Sequence, residues 1–139
     1  MTFNYNKFKQ LLAIGQEAEE QAIKKINKPI IQRQTADNYK SVLYDFMTDD
    51  NIKYEVKLDL QSTKTGNIFI EYRDGRGINS GINNSEANNY IIISNNNYYL
   101  IGIETLRNII KGCKTAQGKD KTRGYLLKLD ELIKNSILL

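Results

Sequence analysis

The strongest chemical signal in the sequence is a group of three side chains, Asp45, Glu55 and Lys57, and the pattern around them gives it meaning. From Ile52 onward the residues alternate. Ile52, Tyr54, Val56, Leu58 and Leu60 point one way and Lys53, Glu55, Lys57 and Asp59 the other, as in a strand with one polar face. The preceding stretch, 41–47, also reads as a strand, and the turn residues Asp49-Asp50-Asn51 separate the two. A three-residue hairpin loop there places Asp45 directly opposite Glu55, on the face of Lys57; a four-residue loop would set Asp45 against Tyr54 instead. In the first register two carboxylates and an ammonium converge on one sheet face.

A fourth group comes from the N-terminal segment. Over about 5–27 the apolar residues Phe8, Leu11, Leu12, Ala18, Ala22, Ile23 and Ile26 recur at three- and four-residue intervals, the period of an amphipathic helix. Glu17 and Glu20 project away from its apolar arc, whereas Glu19 falls near the centre of that arc. Burying a lone carboxylate is costly, so Glu19 calls for a cation, a metal or a hydrogen-bond donor. If the helix packs over the face of Glu55 and Lys57, Glu19 joins them.

Such a constellation suits phosphodiester hydrolysis. Carboxylates bind Mg²⁺, with Mn²⁺ as a substitute; the metal polarises a phosphate and acidifies a bound water, and a lysine orients or deprotonates that water. The chain has no histidine and a single cysteine, Cys113, which excludes a Cys/His zinc site, a Ser-His triad and an internal disulfide, and leaves oxygen atoms as metal ligands. The competing reading is structural: Glu55, Lys57 and Asp59 form the solvated face of an amphipathic strand.

The arrangement resembles the PD-(D/E)XK nuclease superfamily, which has the restriction-endonuclease-like fold. The resemblance is carried by Asp45, a hairpin, then Glu55-Val56-Lys57, preceded by Gly15-Gln16-Glu17-Ala18-Glu19. In archaeal Holliday-junction resolvases of that superfamily a glycine likewise stands four positions before the helix glutamate. The likeness covers about 5–103; it departs at Tyr44, where the motif has proline, and in a shorter helix after the third strand. It implies a metal-dependent DNA endonuclease, structure-selective in the manner of a junction resolvase. Asp45 and Glu55 are then metal ligands, Val56 a ligand through its carbonyl, Glu19 an outer or additional ligand, and Lys57 the water-activating lysine. It also implies a homodimer acting on branched or duplex DNA. A restriction- or recombination-type nuclease shares this core, and a non-catalytic nucleic-acid-binding module on the same fold remains an alternative.

The elements that must position these groups follow from the same patterns. After the two strands come a third at 67–72, a Gly/Asn-rich stretch, a short helix near 85–89, and two strands at 90–94 and 98–103 joined by Asn95-Asn96-Asn97. A helix at 104–111, a strand at 125–128 and a last helix at 130–138 with Asp130 as N-cap complete the chain. The expectation is one α/β (α+β) domain over 1–139: a central mixed sheet of about five strands flanked by helices, with a core at about 5–103 and a basic C-terminal extension at 104–139.

The net charge of +4 is concentrated at 111–124, where Lys111, Lys114, Lys119, Lys121 and Arg123 face only Asp120, a distribution suited to a polyanion. Lys64, Arg73 and Arg76 are further candidates for phosphate contacts. Glu71 alternates with Ile70 and Tyr72 and is a candidate to join the acidic site; Tyr98 and Tyr99 are candidates for base stacking or packing; Cys113 reads as structural. The longest apolar runs, 90–93 and 98–103, fall far short of the roughly 20 residues that cross a bilayer. The polar start, Thr2 to Lys7, does not resemble a signal peptide, so a soluble intracellular protein without membrane contact is expected.

Overall fold

The computed structural model describes residues 4–139, so the first residues of the polar start, 1–3, lie outside the described residues. In chain order the elements are α1 (Tyr5–Ile26), β1 (Ile30–Arg33), β2 (Phe46–Thr48), β3 (Lys53–Leu58), α2 (Ser62–Thr65) and β4 (Asn67–Arg73). A 3-10 turn (Gly81–Asn83) then leads to β5 (Asn89–Ser94), β6 (Asn97–Gly102), α3 (Ile103–Ile110), β7 (Thr115–Gln117), β8 (Arg123–Lys128), α4 (Leu129–Lys134) and β9 (Ile137–Leu138).

Helix α1 begins where the Asn4 side chain accepts from the Lys7 N–H at 3.0 Å. It ends at Asn27, left-handed at φ 55°, whose N–H returns to the Ile23 carbonyl. Its second half is the packed half: Ala18 and Ala22 are buried against Phe46, Tyr54, Ile91 and Ile93, and these short side chains let the helix lie close to the sheet.

That sheet is mixed and six-stranded, in the order β1-β2-β3-β5-β6-β9, with β3 and β5 parallel and every other pair antiparallel. The turn between β5 and β6 is Asn95-Asn96, with φ of 50° and 63°; a two-residue loop with both residues left-handed matches the twist of the strands it joins, and Asn97 already belongs to β6. A second sheet of three antiparallel strands, β4-β8-β7, covers the other face together with α3 and α4. Tyr90, Ile92, Tyr99 and Ile101 from the large sheet meet Ile68, Ile70 and Leu127 from the small one, with Leu106 and Leu132 from the helices closing this main core.

Several expectations are corrected. The strand expected at 67–72 does not join the central sheet beside the first two: β3 pairs with β5, and β4 lies in the second sheet. Asp59 explains the departure, because its carboxylate accepts from the Gln61 and Ser62 N–H groups and, across the turn, from Phe69 N–H at 3.1 Å. The chain is thereby turned out of the sheet through α2 and Gly66, which is left-handed at φ 73°. No helix forms at 85–89, since non-local bonds claim that backbone: Asn88 both donates to the Lys53 carbonyl and accepts, through its side chain, from the Lys53 N–H.

The last helix stops at Lys134, Asp130 lies inside its first turn rather than capping it, and Ile137 and Leu138 pair with the edge of β6. The stretch 104–139 is therefore no extension. It supplies the middle strand of the second sheet and three fully buried leucines, Leu106, Leu127 and Leu132. Among the described residues no helix is long and apolar enough to cross a membrane.

Candidate active site

The expected three-residue loop is present. Thr48 N–H bonds the Ile52 carbonyl at 3.0 Å, Phe46 pairs with Tyr54, and Asn51 closes the turn at φ 63°. The strand expected at 41–47 is shorter, however, because β2 begins at Phe46 and Asp45 sits in a bend before it. Asp45 is not in a regular ladder pair with Glu55. It brackets Glu55 instead: its N–H donates to the Tyr54 carbonyl at 2.8 Å, and its Oδ2 accepts from the Val56 N–H at 2.6 Å. A carboxylate thus takes the bond that a strand carbonyl would have made, and this holds Asp45 beside Glu55.

On β3 the alternation decides which groups face which layer. Tyr54, Val56 and Leu58 lie with Ala18 and Ala22 under α1. Glu55 and Lys57 turn toward the second sheet, as do their parallel partners Tyr90 and Ile92. Lys57 Nζ lies 3.5 Å from Glu55 Oε1. The two line a cleft of about 180 Å³ with Gln34, Gly81 and Ser85. The larger cavities lie elsewhere: between α1 and β1, on the outer face of the second sheet, and beside Cys113.

Helix α1 therefore covers the face opposite Glu55 and Lys57, and Glu19 does not enter the group as expected. Its Oε1 accepts from Arg33 Nη2 at 2.9 Å, and Arg33 Nη1 reaches Glu20 Oε1 at 2.7 Å. The cation that a half-buried Glu19 calls for is Arg33. Glu19 still acts on the site at a distance, since its negative charge raises the pKa of both Asp45 and Glu55.

Burial is the main cause that pushes both carboxyls above their ordinary range. For Asp45 the Val56 N–H pulls the other way. Glu55 is raised to about 7, with the neighbouring Asp45 charge adding to burial and the Lys57 ammonium offsetting part of it. Two adjacent half-buried carboxylates ionise together more readily when a counter-charge joins them. An oxygen-only pair of this kind fits a hard divalent cation such as Mg²⁺, which keeps several of its waters and needs one or two protein carboxylates. Among the described residues no three acidic, histidine or cysteine side chains group closely enough to hold a metal, so Glu19 stands outside such a set as it is placed here.

A pH prediction follows from the sign of the Glu55 shift. A carboxyl raised from 4.5 to about 7 contributes stability that is complete below pH 4.5 and is lost as pH rises through 7. In metal-free buffer Glu55→Gln, which cannot ionise, is expected to be more stable than wild type at pH 8.5 by on the order of 3 kcal/mol, and equal to it near pH 4. Urea unfolding of both proteins across that range measures the difference, and a difference independent of pH would contradict the assignment.

Among the candidate phosphate-binding residues, the second sheet separates two groups. Arg73, Arg76, Lys119, Lys121 and Arg123 gather at the end of β4 that carries Glu71: Arg73 pairs with Arg123, and Gly75 packs on the Asp120 backbone. Arg76 is held by Asp74, and Arg123 by Tyr72 and Gln117. Lys64, at the end of α2, and Lys111 and Lys114, on the turn after α3, lie toward the other end of β4, where Asn67 and Lys114 line one cavity.

Glu71 shares a second small cleft with Lys57. Tyr99 is a core residue, and Tyr98 packs at the α1 side with the Lys25 ammonium 4.9 Å from its ring centre. Cys113 is a free, half-buried thiol that contacts the Ile109 carbonyl. Sequence reasoning missed Arg33, Tyr90 and Gly81. The run Ile30-Ile31-Gln32-Arg33 carried a strand signal that could have placed Arg33; nothing local marked the other two. The chain matches no protein-family model, and no curated protein is similar to it in sequence.

Proposed function

We propose that this protein is a metal-dependent DNA endonuclease of the PD-(D/E)XK type, hydrolysing phosphodiester bonds at Asp45, Glu55 and Lys57. The observation that carries the reading is the junction of these three groups: Asp45 fixed on the Val56 N–H, and Lys57 paired with a half-buried Glu55 beside it. In this reading Asp45 and Glu55, with the Val56 carbonyl, hold Mg²⁺ or Mn²⁺. When bound, the ion supplies Lewis acidity toward the phosphate and its water.

Lys57 orients the attacking water and offsets the negative charge that develops on phosphorus oxygens. Arg73, Arg76, Lys119, Lys121 and Arg123, on the Glu71 side of the second sheet, grip the DNA backbone. Branched DNA as preferred substrate and action as a homodimer belong to the resolvase-like form of the proposal; a restriction- or recombination-type nuclease is its neighbour. The diversion of Glu19 to Arg33 favours one other reading, a nucleic-acid-binding module without catalysis.

The test is cleavage of labelled four-way-junction, flap, single-stranded and duplex DNA by the full chain, with Mg²⁺ and with chelator. Mg²⁺-dependent cutting is expected, with the junction preferred. A folded protein that binds these DNAs in a salt-sensitive way yet cuts none would instead be the binding module.

A further inference from the structure

The cleft next to Lys57 contains groups that the proposed reaction has not yet used. It has a volume of about 140 Å³ and is lined by Lys57, Phe69, Ile70, Glu71, Gly81 and Tyr90. A nucleotide does not fit such a space, but a few waters do, since each occupies about 30 Å³ of liquid and needs two or more polar partners. Its lining comes from both sheets: Lys57 from β3, Tyr90 from β5 and Glu71 from β4.

Tyr90 is 1% exposed, and its hydroxyl is buried with no hydrogen-bond partner among the described residues. Ser85 is near enough to influence the phenol, but no bond of hydrogen-bonding geometry joins them, and the Ser85 hydroxyl already accepts from the Ala87 N–H. A buried hydroxyl without a partner is destabilising, and a bound water would remove that penalty.

Glu71 is held in place rather than free. Its Oε2 accepts from the Ser80 hydroxyl at 2.8 Å, and Gly81 packs so tightly on its backbone carbonyl that a Cβ there would lie 2.2 Å from the oxygen. A carboxylate fixed in this way keeps its place in the wall of the cleft.

We infer that Glu71 and Tyr90 hold water against Lys57 in this cleft and so position the nucleophile of the hydrolysis. The inference rests on the endonuclease reading above. In the step itself the water oxygen bonds phosphorus as the ester P–O bond breaks, the water proton leaves to solvent along the hydrogen-bonded cleft, and the departing oxygen takes a proton from solvent. Glu71 and Tyr90 act through the water, as positioning residues.

Two measurements test this. In steady-state cleavage with Mg²⁺, Tyr90→Phe and Glu71→Ala should each lower kcat about 10- to 100-fold with KM within about twofold, and Glu71→Gln, which keeps the hydrogen-bonding shape, should recover part of the loss. A high-resolution crystal structure of the wild type should show ordered water bonded to Tyr90 Oη and Glu71, lost in Tyr90→Phe. If wild type cuts and Glu55→Gln does not, while the Tyr90 and Glu71 variants cut at the wild-type rate, the inference falls and the endonuclease reading stands. A dry cleft with Tyr90 bonded directly to Ser85 overturns it as well. A wild type that cuts no DNA removes the endonuclease reading, and the nucleophile role with it, whatever water the crystal shows.

Discussion

Lys57→Ala and Glu55→Gln are each expected to slow DNA cleavage by about 10³-fold or more while leaving DNA affinity within about threefold. The asymmetry comes from where the charges lie. Glu55 and Lys57 are side by side in a cleft between the sheets, whereas the proposed backbone contacts, from Arg73 to Arg123, sit on the rim of the second sheet. Removing one group in the cleft removes charge stabilisation of the reaction but only a small share of the phosphate contacts that set affinity.

Glu55→Gln has a second, opposite consequence: because it removes a carboxylate that is costly to ionise when buried, the inactive variant should be the more stable protein above pH 7. Single-turnover cleavage and equilibrium binding in chelator, made on the same preparations, separate the two effects. Variants that cut as fast as wild type would end the assignment of the site. Variants that lose binding and cleavage in equal measure would place these residues in DNA recognition instead of catalysis.

Gly81→Ala should be the most damaging small substitution near the site. Gly81 is left-handed at φ 52°, and an added Cβ would lie 2.2 Å from the Glu71 carbonyl oxygen and 2.8 Å from its carbon. Both obstacles are backbone atoms of β4, fixed by pairing with β8, so no side chain can turn aside to relieve the contact. Strain of both kinds together is expected to cost on the order of 3 kcal/mol, a fall in the unfolding midpoint of about 10 °C. The same substitution moves Glu71 and the wall of both small clefts, so cleavage should fall as well. Gly112→Ala is the control, since nothing lies within 4 Å of a Cβ placed there. Thermal unfolding of the pair decides it: equal midpoints would show that the loop at 78–84 yields.

The composition of the site was readable to different depths. Asp45, Glu55 and Lys57 were recognisable because each signal is local: alternation over nine residues assigns a face, and the turn residues Asp49-Asp50-Asn51 mark a hairpin of three or four loop residues. Glu19 was recognisable as an acid needing a partner, but not as the partner of Arg33, because nothing in the helix period says which strand lies beside it. Tyr90 read as an ordinary strand residue, and its place next to Glu55 appears once β5 lies parallel to β3.

By itself, then, the sequence determined what is set within a few residues. The α1 period, the alternation of β3 and the places of the turns near 49–51 and 95–97 all arise from backbone preferences and local side-chain patterns. The tertiary structure alone decided which surfaces meet: that β4 leaves β3 for β8, that the last 36 residues, 104–139, enter the core, and that α1 covers the face away from Glu55. The physical reason is that a strand's pattern of burial states which side must be covered but carries no information on what covers it. That choice is made by long-range packing and by bonds such as those of Asp59 and Asn88, whose partners become neighbours only when the whole chain has folded.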